Sequence, residues 1–373
     1  MKRSTLSRAA ALPAALALTL GLAACGAANE QGTGGGNAGA DSASDVETGL
    51  SGSIAGAGAS SQAAAMEAWI AGFTSANGDA TVNYDPVGSG GGREQFISGG
   101  VQFAGSDAYL KPEEVTAAQE TCGGDFVELP LYVSPIAVIF NLDGIDSLNL
   151  SPQTLAQVFD RKITSWNDPA IAADNPGVDL PDTAITPVNR SDESGTTENF
   201  TEYLAAAAGD AWPHEPDGNW PVAGGEAAQG TSGVVGAVQG GQGGIGYADA
   251  SQAGDLGTVA VGVGDEFVPF SPEAAAAVVE ASPAAEGRGD NQFAIDLARD
   301  TTESGAYPIV LVSYTLACTS YDSAEQADLV KGFLTYMASE DGQQAAQGAA
   351  GSAPITDGQR EQYQTAIDAI SAG

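Results

Sequence analysis

Three stretches of this 373-residue chain place glycines and hydroxyls where a strand should give way to a helix. Such a junction can hold an anion: the first helical amides lack intrahelical partners, and the helix dipole is positive there. The first stretch is Gly56-Ala57-Gly58-Ala59-Ser60-Ser61. It follows the strand-like Ser53-Ile54-Ala55 and precedes Met66, Trp69, Ile70 and Phe73. Their i, i+3, i+4, i+7 spacing is the stripe of an amphipathic helix. An ordinary Ser-capped helix would look the same, so this stretch alone does not specify a ligand. The second is Gly88-Ser89-Gly90-Gly91-Gly92-Arg93, read as a loop before a helix over Glu94–Ser98. Its glycines let backbone approach a ligand, and Ser89 adds a donor. It lacks the Gly-Lys-Ser/Thr ending of a nucleotide P-loop. The third is Arg190-Ser191-Asp192-Glu193-Ser194-Gly195-Thr196-Thr197, ahead of Phe200, Tyr203 and Leu204 at helical spacing. A guanidinium, hydroxyls and a helix start together can bind a tetrahedral oxyanion. A lone carboxylate, Asp107 in Gly105-Ser106-Asp107-Ala108, reads by itself as turn chemistry.

Stepping outward, the elements that must carry these groups read as an α/β chain that starts folding at Ser51. Strands are expected at Val82–Tyr84, Phe126–Phe140, Ile185–Val188, Ile245–Tyr247 and Ile309–Ala317. The apolar runs Leu129–Asn141 and Tyr307–Cys318 are long enough to pass from one domain to another. Gly224–Gly246 reads as loops around a short helix, and there is no internal repeat. With 43 % hydrophobic residues, the length suffices for two domains with their own cores.

The first 24 residues read as an export signal. Lys2, Arg3 and Arg8 form a basic start, and Ala9–Leu20 is an apolar stretch too short for a membrane span. Leu22-Ala23-Ala24-Cys25 then resembles the lipobox of bacterial lipoproteins, with Cys25 as the acylated residue. Residues 25–50 are rich in Gly, Ala and Ser and read as a flexible tether. Cys122 and Cys318 remain, a pair that an oxidising compartment could join. The chain holds 12 basic and 48 acidic residues, a net charge of −36. Loss of residues 1–24, with three basic and no acidic groups, leaves −39. Such a surface repels nucleic acid and favours solubility. It should also slow the approach of an anion at low salt, over a range screened to about 8 Å in physiological salt.

The motifs, in this order, resemble the phosphate-binding proteins of bacterial phosphate ABC transporters, the PstS family. The likeness runs from Ser51 to about Thr356. It rests on Gly56–Ser60, Val82–Tyr84 leading to Gly88-Ser89, Gly105–Ala108 and Arg190–Thr196. Lys162–Asp168, Asn175–Gly177 and Gly244–Tyr247 match as well. The resemblance implies a two-domain type II periplasmic-binding-protein fold of the α/β class, with the ligand in the cleft and two hinge strands. Domain I would hold residues 51–134 and 308–373, and domain II residues 135–307. Position by position, it implies phosphate contacts at Ser60, Ser61, Ser89, Asp107, Arg190, Ser194, Gly195 and Thr196, with Asp192 pairing Arg190. Ser61 departs from the Phe frequent in the family, but that contact is made by a backbone N–H. The resemblance further implies a monomeric carrier and no enzyme, with no cofactor and phosphate as its ligand. Its partner would be the permease of an ABC importer, and its place the outer face of the cell membrane.

Other readings fare worse. A serine hydrolase would need His214, the only histidine, which sits in the Pro-rich Trp212-Pro213-His214-Glu215-Pro216. No Gly-x-Ser-x-Gly elbow lies at a strand–helix turn. One His and two Cys do not make a transition-metal cluster. A carrier of sulfate or molybdate is disfavoured by Asp107, which can only accept, and by Arg190. A surface adhesin would leave the three helix starts unexplained.

Overall fold

Gly/Ser turns and short apolar runs alternate through residues 47–373, the part of the chain that the computed structural model describes. The signal segment 1–24, Cys25 and the tether up to residue 46 lie outside the described residues. The chain begins with β1 (Ser51–Gly58), α1 (Ala63–Ala76), β2 (Asp79–Asp85), α2 (Ser89–Ile97), β3 (Phe103–Ser106) and α3 (Pro112–Thr121). It continues with β4 (Phe126–Phe140), β5 (Ser147–Leu150), α4 (Pro152–Phe159), α5 (Pro169–Asp174), β6 (Thr186–Arg190) and α6 (Gly195–Ala208). Then come β7 (Glu226–Ala228), α7 (Gly230–Gly240), β8 (Gly244–Asp249), β9 (Gly257–Val263), β10 (Glu266–Val268) and α8 (Pro272–Ala281). It ends with β11 (Val310–Cys318), β12 (Ser320–Tyr321), α9 (Ala324–Ala338), α10 (Glu340–Ala350), α11 (Asp357–Asp368) and β13 (Ser371–Ala372).

The main sheet runs β2-β1-β3-β11-β4-β8-β6-β7, with β9 on β4 and both β5 and β10 on β9. β1 is parallel to β2 on one side and β3 on the other. In the same way β6 is parallel to β7 and β8. Parallel neighbours need crossovers, which α1, α2, α6 and α7 supply. Successive crossovers therefore leave β1, and likewise β6, in opposite directions. Ligands of α/β sheets bind at such switch points, beyond the carboxyl ends of the strands. The chain beyond β1 carries Ser60 and Ser61, and β6 ends at Arg190.

One strand joins the two halves. β4 spans Phe126–Phe140, as its apolar run predicts, and every residue in it is buried. Phe126–Pro135 pairs with β11, whereas Ile136–Phe140 pairs with β8. The second long run is shorter than expected: β11 begins at Val310 rather than Tyr307. Pro308 has no N–H to give a ladder, although the Ile309 carbonyl still accepts from the Ile136 amide at 2.7 Å.

The α1 stripe buries Met66, Trp69 and Phe73, with Ile70 half-buried at its edge. Trp69 Nε1 donates to the Gly342 carbonyl on α10 at 2.8 Å, and Phe73 meets Phe333 of α9 edge-on at 5.3 Å. Each such side chain stabilises by about 1.5–3 kcal/mol on burial, so this stripe holds α1 against the sheet. Helix α2 corrects an expectation. It starts at Ser89, so Gly90–Gly92 are helical rather than loop. Glycine is a poor helix former, but α2 lies hard against β1. A Cβ on Gly92 would stand 2.4 Å from the Gly58 Cα.

Cys122 and Cys318 form a disulfide, with Cα atoms 5.2 Å apart across 196 positions of sequence. It ties the end of α3 to the end of β11. Closing so long a loop constrains the unfolded chain. Cys122→Ser/Cys318→Ser should lower unfolding free energy by about 2–5 kcal/mol. Urea denaturation measures this, and an unchanged midpoint counts against it.

Candidate anion-binding site

Beyond β1 the chain turns through Ala59-Ser60-Ser61, and α1 starts only at Ala63. Ser61 is thus free of capping duty, and its hydroxyl donates to Asp107 Oδ1 at 2.7 Å. Ser89 opens α2, and its Oγ accepts the Asp107 amide at 3.1 Å. Asp107 directly follows β3 and is buried. These groups come from one half of the sheet.

The other half supplies Arg190 at the end of β6 and the first turn of α6. Ser194 is the N-cap and accepts the Thr197 amide at 3.2 Å. Gly195 and Thr196 are the first two helical residues, so the helix offers no acceptor for their amides. Thr196 Oγ1 donates to Asp107 Oδ2 at 3.0 Å. One carboxylate therefore takes a hydroxyl from each side of the cleft. Gly195 fits because it has no side chain: a Cβ there would stand 2.6 Å from Asp107 Cβ and 2.7 Å from Ser89 Oγ.

Charge is arranged as carefully as the hydroxyls. Arg190 is buried and donates from Nε to Asp192 Oδ1 at 2.9 Å, with Nη2 on Oδ2. Burial pushes the Asp192 carboxyl up, but the Arg190 bonds and charge and the Gly230 amide outweigh it and hold it below its ordinary value. Asp107 goes the other way. Burial lifts it above the ordinary 3.8, and the hydroxyl donors and the Arg190 charge only partly offset this. The result is a ring of donors around a single acceptor. It suits a tetrahedral oxyanion that still carries a proton.

Residues 38–341 match the PBP superfamily domain. Phosphate-binding protein PstS 3 of Mycobacterium leprae (strain TN) is 34 % identical over 322 residues, covering 84 % of this chain and 85 % of that one. The chain belongs to the PstS family of the PBP superfamily. A more distant relative, phosphate-binding protein PstS of Xylella fastidiosa (strain Temecula1 / ATCC 700964), is 32 % identical over 279 residues and covers 73 % of each chain. The fold is also that of a periplasmic phosphate-binding protein, PfluDING, solved with phosphate bound. It has TM-score 0.69 at 24 % identity, covering 84 % of this chain and 93 % of that one. A phosphate-binding protein from Stenotrophomonas maltophilia aligns with TM-score 0.65 at 21 % identity over 84 % and 94 %. This PstS chain therefore has the two-domain type II binding-protein fold.

Within this PstS chain, Ser61, Ser89 and Thr196 each bond Asp107, Gly195 packs against Asp107 and Ser89, and the Arg190 charge reaches Asp107. The Ser60 hydroxyl is turned elsewhere. It bonds Thr231 Oγ1 and accepts the Thr231 amide, both at 3.1 Å, at the start of α7. That fourth helix start was missed in the sequence, although Gly230-Thr231-Ser232 carries the same glycine–hydroxyl signature. Asn199 was missed too. Its Nδ2 donates to the carbonyls of Asp107 and Gly195 at 2.7 and 2.8 Å, fastening the two together. A single Asn inside a helix gives no signal of this. His214 Nε2 lies 2.7 Å from Asp160 Oδ1, and the ring packs on Trp212. Among the described residues no three His, Cys, Asp or Glu gather as a metal group, and no helix is long and apolar enough to cross a membrane.

Proposed function

We propose that this chain captures inorganic phosphate with high affinity and delivers it to the permease of an ABC importer. The observation that carries this reading is Asp107, the one acceptor among converging donors, held by Ser61 from one half and Thr196 from the other. Ser60, Ser61, Ser89, Asp107, Arg190, Ser194, Gly195 and Thr196 are the phosphate contacts. The amides of Ser61, Gly195 and Thr196, the Ser60, Ser89 and Ser194 hydroxyls and the Arg190 guanidinium donate to phosphate oxygens, and Asp107 receives the phosphate O–H in place of a hydroxyl from Ser61 or Thr196. The protein binds and releases its ligand unchanged, acts as a monomer and needs no cofactor.

Two lobes, residues 51–134 with 308–373 and residues 135–307, close on the anion about β4 and the segment that enters β11. The closed form is what the permease recognises. Export and attachment to the outer face of the membrane rest on the basic start, the apolar stretch and Cys25.

Calorimetry tests the reading. Phosphate should bind tightly, and sulfate should give no heat. Phosphate at about 100 times its dissociation constant should stabilise the fold by about 2.7 kcal/mol. Equal affinities for the two anions would sink the assignment.

A further inference from the structure

One buried cation ties the two sides of the cleft together outside the phosphate contacts. Arg93 lies on α2, about one helical turn past Ser89, and is 2 % exposed. Two arms of its guanidinium stay on their own side. Nε donates to Glu114 Oε1 at 2.9 Å, and Nη1 donates to Ser106 Oγ at 3.1 Å, next to Asp107. The third arm crosses: Nη2 donates to Glu193 Oε1 at 2.8 Å, in the turn between β6 and α6.

Glu193 is laid directly over the first turn of α2. A Cβ on Gly90 would stand 2.6 Å from Glu193 Cδ and 2.7 Å from Glu193 Cβ. The Gly90 amide also faces the Glu193 carbonyl, at 3.4 Å. Of the other charged pairs between these sides, Lys111 with Glu198 is looser at 3.7 Å and uses an exposed lysine, and Arg288 with Glu128 is longer at 3.4 Å. The Thr196 hydroxyl, which crosses to Asp107, belongs to the phosphate contacts themselves. Arg93 and Glu193 touch none of the phosphate-contact side chains.

We propose that Arg93 and Glu193 form an ion-pair latch that sets how long the closed cleft keeps its anion. The proposal rests on the phosphate reading, and both are positioning residues. Glu114 and Ser106 hold the guanidinium in place whether the cleft is open or shut. Closure alone gives Nη2 its charged acceptor, and opening leaves that arm without one. An interaction made only in the closed form slows release more than it speeds capture.

Glu193→Gln keeps the side-chain shape and removes its charge. With the full chain, phosphate release into an enzymatic phosphate scavenger should become about tenfold faster, while association changes less than about threefold. Coulomb's law without a latch gives the opposite sign, because removing an acid near a bound anion should slow its release. Arg93→Gln also disturbs Glu114 and Ser106, so it is read in a cycle with Arg93→Gln/Glu193→Gln. The double variant should release no faster than Arg93→Gln alone. Arg93→Lys keeps the charge without the fork and should fall between wild type and Arg93→Gln. Release from Glu193→Gln at the wild-type rate or slower, or simple additivity in the cycle, overturns the latch alone. A wild type that binds no phosphate overturns the phosphate reading and the latch with it.

Discussion

Replacing Asp107 with Asn should let sulfate compete with phosphate. Phosphate at neutral pH keeps at least one proton, and sulfate keeps none. Ionised Asp107 can only accept, so in the proposed site it would receive the phosphate O–H but face a sulfate lone pair with no hydrogen between. Leaving a buried acceptor unpaired costs at least about 1–3 kcal/mol, and charge repulsion adds to it. Sites built to bond a substrate hydroxyl reject analogues lacking it by about 10⁴–10⁵. The Asn amide can donate as well as accept, so most of this discrimination should vanish. The expected result is a phosphate-to-sulfate affinity ratio lowered by at least about 10³, with phosphate affinity itself changed less. Competition calorimetry reads both numbers. A ratio that stays at the wild-type value removes Asp107 as the selectivity element.

Acid should mimic the substitution. The Asp107 carboxyl sits above the ordinary 3.8, mainly because it is buried. As pH falls through that raised value, Asp107 takes up a proton and becomes a donor. Sulfate should then gain on phosphate in the wild type, while Asp107→Asn shows little pH dependence of the ratio.

Arg190→Met should abolish useful affinity. Arg190 is buried and balances Asp192 at the mouth of the third anion loop. Without it Asp192 loses its ion-pair partner and the Arg190 charge no longer offsets Asp107. Truncating one member of a buried, hydrogen-bonded charge pair costs about 2–5 kcal/mol, so phosphate affinity should drop by about 30- to 5,000-fold. Part of that loss could come from an unpaired Asp192 disturbing the loop. Arg190→Met/Asp192→Asn separates the two effects, because it removes the uncompensated carboxylate. Its melting temperature should return toward wild type while phosphate affinity stays low. Recovery of affinity in the double variant would show that Arg190 serves the loop and not the anion.

Much of this architecture is written locally. The run Phe126–Phe140 is apolar throughout, so a fully buried strand was legible to its ends. The stripe of Met66, Trp69 and Phe73 announced α1, and the pattern after Ser194 announced α6. Local rules misled where tertiary contact overrode them. Gly90–Gly92 reads as loop by propensity, yet close packing on β1 makes those residues helical. A serine cap on α1 is an ordinary reading of Ser60-Ser61, yet the Ser61 hydroxyl goes to Asp107, 46 positions away.

The sequence by itself determined that this chain has several donor-rich helix starts and one arginine able to meet an anion. Amide exposure at a helix start depends only on the few residues around it. What the tertiary structure decided is that these starts face one another. The sheet order places the carboxyl ends of β1 and β6 across a shared β4, and so Asp107 receives Ser61 and Thr196 from opposite sides. It likewise decided that Ser60 turns to Thr231, 171 positions on, and that Arg93 reaches Glu193, 100 positions on. No local pattern encodes such pairings, because they arise only when distant strands take their places in one sheet.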